Sequence, residues 1–206
     1  LEHIHILPVY GYGLVDDSYA YIAMRLLSGG ALTDLIRQAP LTVDRVGDLL
    51  SDIGQGLDYA HRKGVLHGDL KPSNILLDDA GRAYLSDFGV ASVIASAIDP
   101  LVSQSLNKLP LYVAPERLRG EDGNARSDIY SVGALLYHLL TGRPPFELDE
   151  GGLGSLMFRQ MEQEPHSPKV LNPSLSPAID ALIMRALRKN PHERFATLAE
   201  MTDIYN

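Results

Sequence analysis

A short stretch in the first half of the chain combines side chains whose types and spacing suit one chemistry. The carboxylate of Asp69 is followed two residues later by the ammonium of Lys71 and five residues later by the carboxamide of Asn74. A second carboxylate, Asp87, stands further along. Phosphoryl transfer needs a carboxylate to orient the acceptor hydroxyl and take its proton, a cation beside the moving phosphoryl group, and oxygen ligands for Mg²⁺. The spacing therefore predicts phosphoryl-transfer chemistry.

An amphipathic helix is predicted to deliver this loop. Between Val43 and Lys63, apolar residues recur at helical spacing on one face. They are Val46, Leu49, Leu50, Ile53, Leu57 and Ala60. Thr42 can cap the start of this helix and Gly64 can end it, just before His67. One face of the helix is thus expected in the core.

A second helix is predicted from Ile129 to Leu140, with apolar residues around most of its circumference. Such a helix is expected to be buried on most sides. Ser127 or Asp128 is placed to cap its start, and Gly142 followed by prolines stops it.

Shorter elements complete the chain. Apolar stretches at residues 6–10 and 19–24, on either side of residues 16–18, predict a β-hairpin. Further helices are predicted at 32–38, at 155–163 and from Pro177 onward, with a loop over 165–177.

Composition narrows the class of protein. The 206 residues have 45% hydrophobic content, which suffices for one sizeable core and predicts one domain. A net charge of −8 argues against nucleic acid or an anionic membrane surface as the main partner. The chain has no cysteine, which excludes disulfides and cysteine metal sites. No apolar run reaches the roughly 20 residues of a membrane span.

Both ends of the sequence have the character of cut sites. The chain starts at Leu1 without a methionine, and it stops at Asn206, shortly after the helix-start signal of Thr197 and Glu200. We expect it to be a piece of a longer protein.

The loop around Asp69 resembles the catalytic loop H-R-D-L-x-x-x-N of protein kinases, and Asp87 to Gly89 resembles their D-F-G motif. Further motifs follow in the family's order. They are Ala114-Pro115-Glu116, the run Ser127 to Gly133 and the run Asn190 to Phe195. The wording is most similar to bacterial-type serine/threonine kinases. The resemblance covers nearly the whole chain, but only the family's larger C-terminal lobe is represented.

The resemblance implies a mainly α, overall α+β, protein kinase-like fold. Residues 1–206 would form a partial kinase domain. Within it, 1–27 would be two residual small-lobe strands and the hinge, and 28–206 the large helical lobe.

The resemblance also implies roles for the reactive residues. Asp69 would orient the acceptor hydroxyl, and Lys71 would contact the transferred phosphoryl group. Asn74 would hold one Mg²⁺ ion and Asp87 would hold two, bridging the phosphates of ATP. Lys71 further implies a serine or threonine acceptor, because tyrosine kinases usually lack that lysine.

Nucleotide-binding residues follow from the same resemblance. Met24 would be the gatekeeper beside adenine, and the backbone of Arg25, Leu26 and Leu27 would form the hinge that holds it. Leu76 would also contact the nucleotide.

A third set of residues is expected to be structural. Glu116 and Arg194 would pair, Asp128 would hydrogen-bond the backbone of the catalytic loop, and the remaining members would pack around it. The full set is His67, Phe88, Gly89, Glu116, Asp128 and Arg194.

The sequence departs from the family's pattern in three places. Gly68 replaces the arginine that usually grips a phosphate on the activation loop, so activity is expected not to depend on phosphorylation there, at Ser96, Ser103 or Ser105 for example. Leu109 replaces a threonine whose hydroxyl usually bonds the catalytic Asp and Lys. The 206 residues also contain no G-x-G-x-x-G turn, no V-A-I-K lysine and no partner helix glutamate, so by themselves they are expected to transfer phosphate negligibly.

Two alternatives remain open. Gly68 and Leu109 fit a pseudokinase, a kinase-shaped binding module that does not transfer phosphate. The wording His67-Gly68-Asp69 also resembles small-molecule phosphotransferases of the aminoglycoside and choline kinase type, although Lys71 and the Ala-Pro-Glu loop argue against these. The main prediction is a serine/threonine kinase that uses ATP and Mg²⁺, acts on a protein and works in the cytoplasm. Any membrane tether would lie outside this stretch.

Overall fold

The computed structural model describes residues 1–15, 19–88 and 109–205, and helices are its main regular elements. The helices are α1 (Leu32–Ile36), α2 (Val43–Arg62), α3 (Pro115–Leu118), α4 (Ala125–Thr141), α5 (Gly152–Glu162), α6 (Pro168–Leu171), α7 (Pro177–Ala186) and α8 (Leu198–Tyr205). The strands are β1 (Val9–Val15), β2 (Tyr19–Met24), β3 (Ile75–Leu77) and β4 (Ala83–Leu85). Short 3₁₀ turns span Pro72–Asn74 and Pro191–Glu193. The predicted mainly α fold is confirmed.

The predicted hairpin is confirmed, since β1 and β2 pair antiparallel. Its turn, residues 16–18, lies outside the described residues. The first strand begins at Val9 and not at Ile6 as predicted. The reason is a competing partner: Leu7 N donates to Leu85 O at 2.8 Å, and Leu85 N donates to His5 O at 2.9 Å. The start of the chain therefore extends the β3–β4 pair.

Helix α2 has the predicted bounds and the predicted buried face. The hydroxyl of Thr42 accepts a hydrogen bond from Arg45 N at 3.3 Å, which caps the first turn. Gly64 follows the last turn at φ +74°, a backbone region that glycine adopts without a steric penalty. The helix therefore ends at a point that directs the chain into the loop carrying Asp69.

Helix α4 is the central helix, and it is buried on nearly all sides as predicted. It begins at Ala125, four residues before the predicted start. The cap is Asn124, whose side chain accepts from Arg126 N at 2.8 Å while Ser127 Oγ accepts from Asn124 N at 3.1 Å. The prediction of Ser127 or Asp128 as the cap is wrong, because both lie inside the first turn. Gly142, at φ +81°, ends the helix as predicted.

The C-terminal third surrounds α4. Helix α7 starts after Ser176, which accepts from Ile179 N at 3.2 Å, as predicted. It crosses α4 closely, since a Cβ on Gly133 would lie 2.6 Å from the Cβ of Ala186. Helix α5 starts three residues before the predicted Ser155. The predicted loop over 165–177 contains α6, whose first turn is capped by Ser167.

Across the described parts of the chain, no helix combines the length and the apolar character needed to cross a membrane.

Candidate active site

The loop that carries Asp69 is held in place by the carboxylate of Asp128 on α4. Its Oδ2 accepts from His67 N at 3.0 Å, and its Oδ1 accepts from Gly68 N at 3.0 Å. A third bond comes from His61 on α2, whose Nε2 lies 2.7 Å from Oδ2. Burial alone would raise the pKa of Asp128, but these three bonds outweigh it and hold the pKa below its usual range. The carboxylate is therefore ionised at neutral pH and holds the backbone of the loop in place.

Asp69, Lys71 and Asn74 form one contiguous cluster on this loop. The ammonium of Lys71 contacts Asp69 Oδ2. The Nδ2 of Asn74 donates to Asp69 O at 2.8 Å and to Asp69 Oδ2 at 3.3 Å. Because the amide nitrogen of Asn74 faces Asp69, its oxygen faces away, where Ser73 Oγ donates to it at 3.2 Å. The structure thus brings three of the four predicted reactive side chains into contact.

The fourth reactive residue, Asp87, follows directly after Ser86, which hydrogen-bonds the backbone of Asn74. Ser86 N donates to Asn74 O at 2.9 Å, and Ser86 Oγ donates to the same oxygen at 3.2 Å. Asp87 has φ +61°, the one non-glycine residue with a left-handed backbone in the described ranges. Such a conformation is unfavourable for a residue with a Cβ and is concentrated at functional sites. Its carboxylate is exposed, and Gly89 lies outside the described residues.

His67 lies under this cluster as a packing group. It is 1% exposed, and its ring lies 4.7 Å from the ring of Phe88. Neither ring nitrogen has a hydrogen-bond partner among the residues described. Burial lowers the pKa of His67, against the opposing effects of Asp128 and Asp69. The ring is therefore neutral at pH 7, which fits the structural role expected for it.

Glu116 and Arg194 form a buried pair that ties α3 to the end of the chain. Arg194 Nη1 donates to Glu116 Oε1 at 2.7 Å, and Nη2 donates to Oε2 at 2.8 Å. Ser127 Oγ donates to the same carboxylate at 2.7 Å. Burial would raise the pKa of Glu116, but the bonds from Arg194 and Ser127 outweigh it and lower the pKa. The two-bond geometry fixes orientation as well as distance.

The chain just after the predicted hinge lies beside β3. Gly29 N donates to Leu77 O at 2.9 Å, and a Cβ on Gly29 would lie 2.3 Å from Asp78 O, so only glycine permits this approach. Ala31 forms a bridge with Leu76. Among the hinge residues, Leu26 is 92% exposed. The remaining members are the partly buried Met24 and Leu27 and the exposed Arg25, whose guanidinium lies 5.5 Å from the Tyr84 ring centroid.

Comparison with known proteins identifies the family of this chain. The sequence profile of the protein kinase domain matches residues 1–205. The chain belongs to the protein kinase domain family. The serine/threonine-protein kinase PknB of Mycobacterium leprae is 33% identical over 205 residues, which are 98% of this chain and 33% of that protein. PknB of Mycobacterium tuberculosis is 34% identical over 206 residues, again 98% of this chain and 33% of the relative.

A third relative comes from another genus. The probable serine/threonine-protein kinase SCO3848 of Streptomyces coelicolor is 35% identical over 206 residues, 98% of this chain and 30% of that protein. The chain thus spans about a third of the length of these curated relatives.

In this kinase domain, a cavity of about 570 Å³ opens beside the loop that carries Asp69. Asp69 and Lys71 line it together with residues of the segment Leu109 to Val113. We call this segment the acceptor-side loop. Leu109, the residue that departs from the family's threonine, also lines the cavity and is 45% exposed.

Two residues that the sequence analysis missed support the site. His61 contacts Asp128, and Gln160 on α5 is fully buried against the acceptor-side loop. A signal existed for both. His61 lies one helical turn after Leu57, and Gln160 one turn after Leu156, so each is a polar residue on an apolar face.

Proposed function

We propose that the protein containing this kinase domain is a serine/threonine protein kinase, which transfers the γ-phosphoryl group of ATP to a hydroxyl of a protein substrate. The observation that carries the proposal is the cluster of Asp69, Lys71 and Asn74, of which Asp69 and Lys71 line one cavity together with the acceptor-side loop. The relatives named above, which are serine/threonine-protein kinases, support the same acceptor class.

Each reactive residue has a role that its position supports. Asp69 orients the acceptor hydroxyl and accepts its proton, and Lys71, in contact with that carboxylate, neutralises charge on the phosphoryl group. The oxygen of Asn74 and the carboxylate of Asp87 are ligands of the kind that Mg²⁺ prefers. When bound there, Mg²⁺ neutralises the phosphates. The left-handed backbone at Asp87 fixes the direction of its side chain.

ATP would enter between the hinge and this loop. Residues 29 and 30, which follow the predicted hinge, hydrogen-bond Leu77 of β3, the strand that begins directly after Asn74 and contains Leu76. We propose that Met24 and Leu76 contact adenine from opposite sides. The domain would work in the cytoplasm, where ATP is present, and a tether to the membrane would lie outside these residues.

The pseudokinase alternative rests on Gly68 and Leu109. At Gly68 the structure offers a counterargument, because this residue helps to hold the loop through its backbone N–H, which donates to Asp128 and needs no side chain. The reactive cluster is therefore positioned without a side chain at 68. The pseudokinase alternative therefore depends on Leu109, whose side chain has no hydroxyl to bond Asp69 or Lys71.

The decisive experiment uses the complete protein with Mg²⁺, ATP and a mixture of Ser-, Thr- and Tyr-containing peptides. We expect phosphoserine or phosphothreonine, and we expect Asp69→Asn to lower kcat by ~10²–10⁴-fold, since removing a positioned base removes that much catalysis. Asp79→Asn, on an exposed residue of the β3–β4 turn, is the matched control and should retain full activity.

Other outcomes point elsewhere. Mg²⁺-dependent nucleotide binding without turnover by the wild-type protein would establish the pseudokinase. Phosphorylation of an aminoglycoside or of choline, with no peptide product, would establish the small-molecule phosphotransferase.

A further inference from the structure

The acceptor-side loop is held by polar side chains that arrive from two helices. From α4, Ser131 Oγ donates to Tyr112 O at 2.8 Å, and the hydroxyl of Tyr112 lies 2.7 Å from His138 Nδ1. Burial raises the pKa of Tyr112 and lowers that of His138, so both groups are neutral at pH 7 and share a hydrogen bond. These contacts fix the middle of the loop.

Gln160 on α5 fixes both ends of the same loop. Its Nε2 donates to Pro110 O at 2.8 Å and to Val113 O at 2.5 Å. Carbonyl oxygens can only accept, so the group between them must be the amide NH₂ and not the amide oxygen. One side chain thus clamps two carbonyls that are three residues apart along the chain.

The amide of Gln160 is satisfied at one atom only. The residue is fully buried, and its Oε1 has no hydrogen-bond partner among the described residues, whereas its Nε2 donates to two carbonyls. The unpartnered oxygen is unfavourable, but an apolar side chain of similar volume would leave the two carbonyls without this donor. What the amide adds is the fixed distance between the carbonyls of Pro110 and Val113.

Gln160 is itself linked to the pair formed by Glu116 and Arg194. The ammonium of Lys189 donates to Gln160 O at 2.8 Å, and Lys189 O accepts from Arg194 Nη2 at 3.0 Å. Arg194 in turn holds Glu116. The contacts therefore run from the acceptor-side loop through α5 to Glu116, three residues beyond the end of that loop.

We propose that Gln160 is a positioning residue for the protein acceptor: by clamping the acceptor-side loop, it sets how well the acceptor hydroxyl is presented to Asp69. This inference rests on the proposed kinase function. Since the acceptor-side loop lines the same cavity as Asp69, and the proposed hinge residues 24–27 do not line it, the clamp should govern the KM for the peptide and leave the KM for ATP unchanged.

The test is steady-state kinetics of the complete protein carrying Gln160→Met, which keeps the volume and removes both donors. We expect the KM for the peptide to rise about five- to tenfold, the loss that one to two hydrogen bonds produce, with the KM for ATP within about twofold. Gln163→Met, on the exposed residue after α5, is the matched control and should change neither constant.

A second variant separates the loss of the hydrogen-bond donors from a loss of folding. Gln160→His keeps an N–H donor, so it should raise the KM for the peptide less than Gln160→Met does, and circular dichroism reports whether each variant is folded. An unchanged peptide KM in folded Gln160→Met, or an equal rise in the KM for ATP, would overturn the inference. If the wild-type protein phosphorylates no peptide, the proposed function fails instead, so the two failures are distinguishable.

Discussion

Gly68 is the residue at which the site departs most visibly from its family's wording. Its φ is +75°, and a Cβ there would meet no atom of the described residues within 4 Å. Its contribution to the loop is the N–H bond to Asp128, which needs no side chain. What is missing is a guanidinium that could grip a phosphate, because arginine supplies the two parallel N–H donors that phosphate recognition uses.

The consequence concerns regulation. Without an arginine at position 68, phosphorylation between residues 89 and 108 has no cationic partner at this position, so kinase activity should be insensitive to it. Treating the purified complete protein with a phosphatase and then removing the phosphatase should leave kcat and the KM for the peptide unchanged. Abolished activity after this treatment would contradict the prediction. The serines concerned, Ser96, Ser103 and Ser105, lie outside the described residues.

The sequence was informative about individual residues where their partners are near in the chain. Asp69, Lys71 and Asn74 contact one another within six positions, so their spacing alone suggested a cluster. Gln160 and His61 could not be assigned in this way. Their partners Pro110 and Asp128 lie 50 and 67 positions away, and such pairings depend on how helices pack.

At the scale of elements, helix α8 depends on a residue of another helix for its first turn. Asp58 on α2 accepts from Leu198 N at 3.0 Å and from Ala199 N at 2.8 Å. Thr197 accepts from Glu200 N at 3.2 Å, as the sequence signal indicated. The N–H groups at the start of a helix have no partner within it, so caps from outside stabilise it.

Removing this cap should loosen the contact between the two helices. Asp58→Ala should lower the free energy of unfolding by ~1–2 kcal/mol, the usual cost of losing a cap. Urea unfolding of the protein followed by circular dichroism measures it. Asp48→Ala, on an exposed position of the same helix, is the matched control. Equal stability of the two variants would show that Asp58 is not a functional cap.

Helix positions were predicted better than helix starts. The apolar stripe of α2 predicted where this helix begins and ends, because the stripe runs along the whole face that is buried. The start of α4 was placed too late, because its first turn contains polar residues that face Glu116 and the catalytic loop. The strand at Ile6 was placed wrongly for a related reason: an apolar run shows that a segment is buried but not which strand it pairs with.

At the scale of the whole molecule, the pair of Glu116 and Arg194 joins segments that are 78 positions apart. Arg194 is 1% exposed, and its side chain also donates to the carbonyls of Arg126, Arg188 and Lys189. Because the pKa of Glu116 is lowered, its share of the stability is fully present above the usual glutamate pKa and is lost as the pH falls through the lowered value.

Breaking this pair from one side should be costly at pH 7. Arg194→Met leaves an ionised, buried Glu116 without its partner, and should lower the free energy of unfolding by ~3–5 kcal/mol. Urea unfolding measures this, with Arg188→Met as the control, since the Arg188 side chain is 50% exposed in a surface pair with Glu164. A loss below ~1 kcal/mol would show that the pair does not lock the fold.

The docking of α8 on α2 also constrains the order in which the molecule can form on the ribosome. Asp58 and Leu198 are 140 positions apart, and Tyr205 Oη donates at 3.0 Å to Val43 O, 162 positions away. At ~5–20 residues per second, the ribosome takes on the order of ten seconds to synthesise the chain between these contacts. During that interval α2, which delivers the catalytic loop, lacks the helix that covers part of its apolar face. A nascent kinase domain stalled before residue 198 should therefore bind holdase chaperones until its last helix emerges.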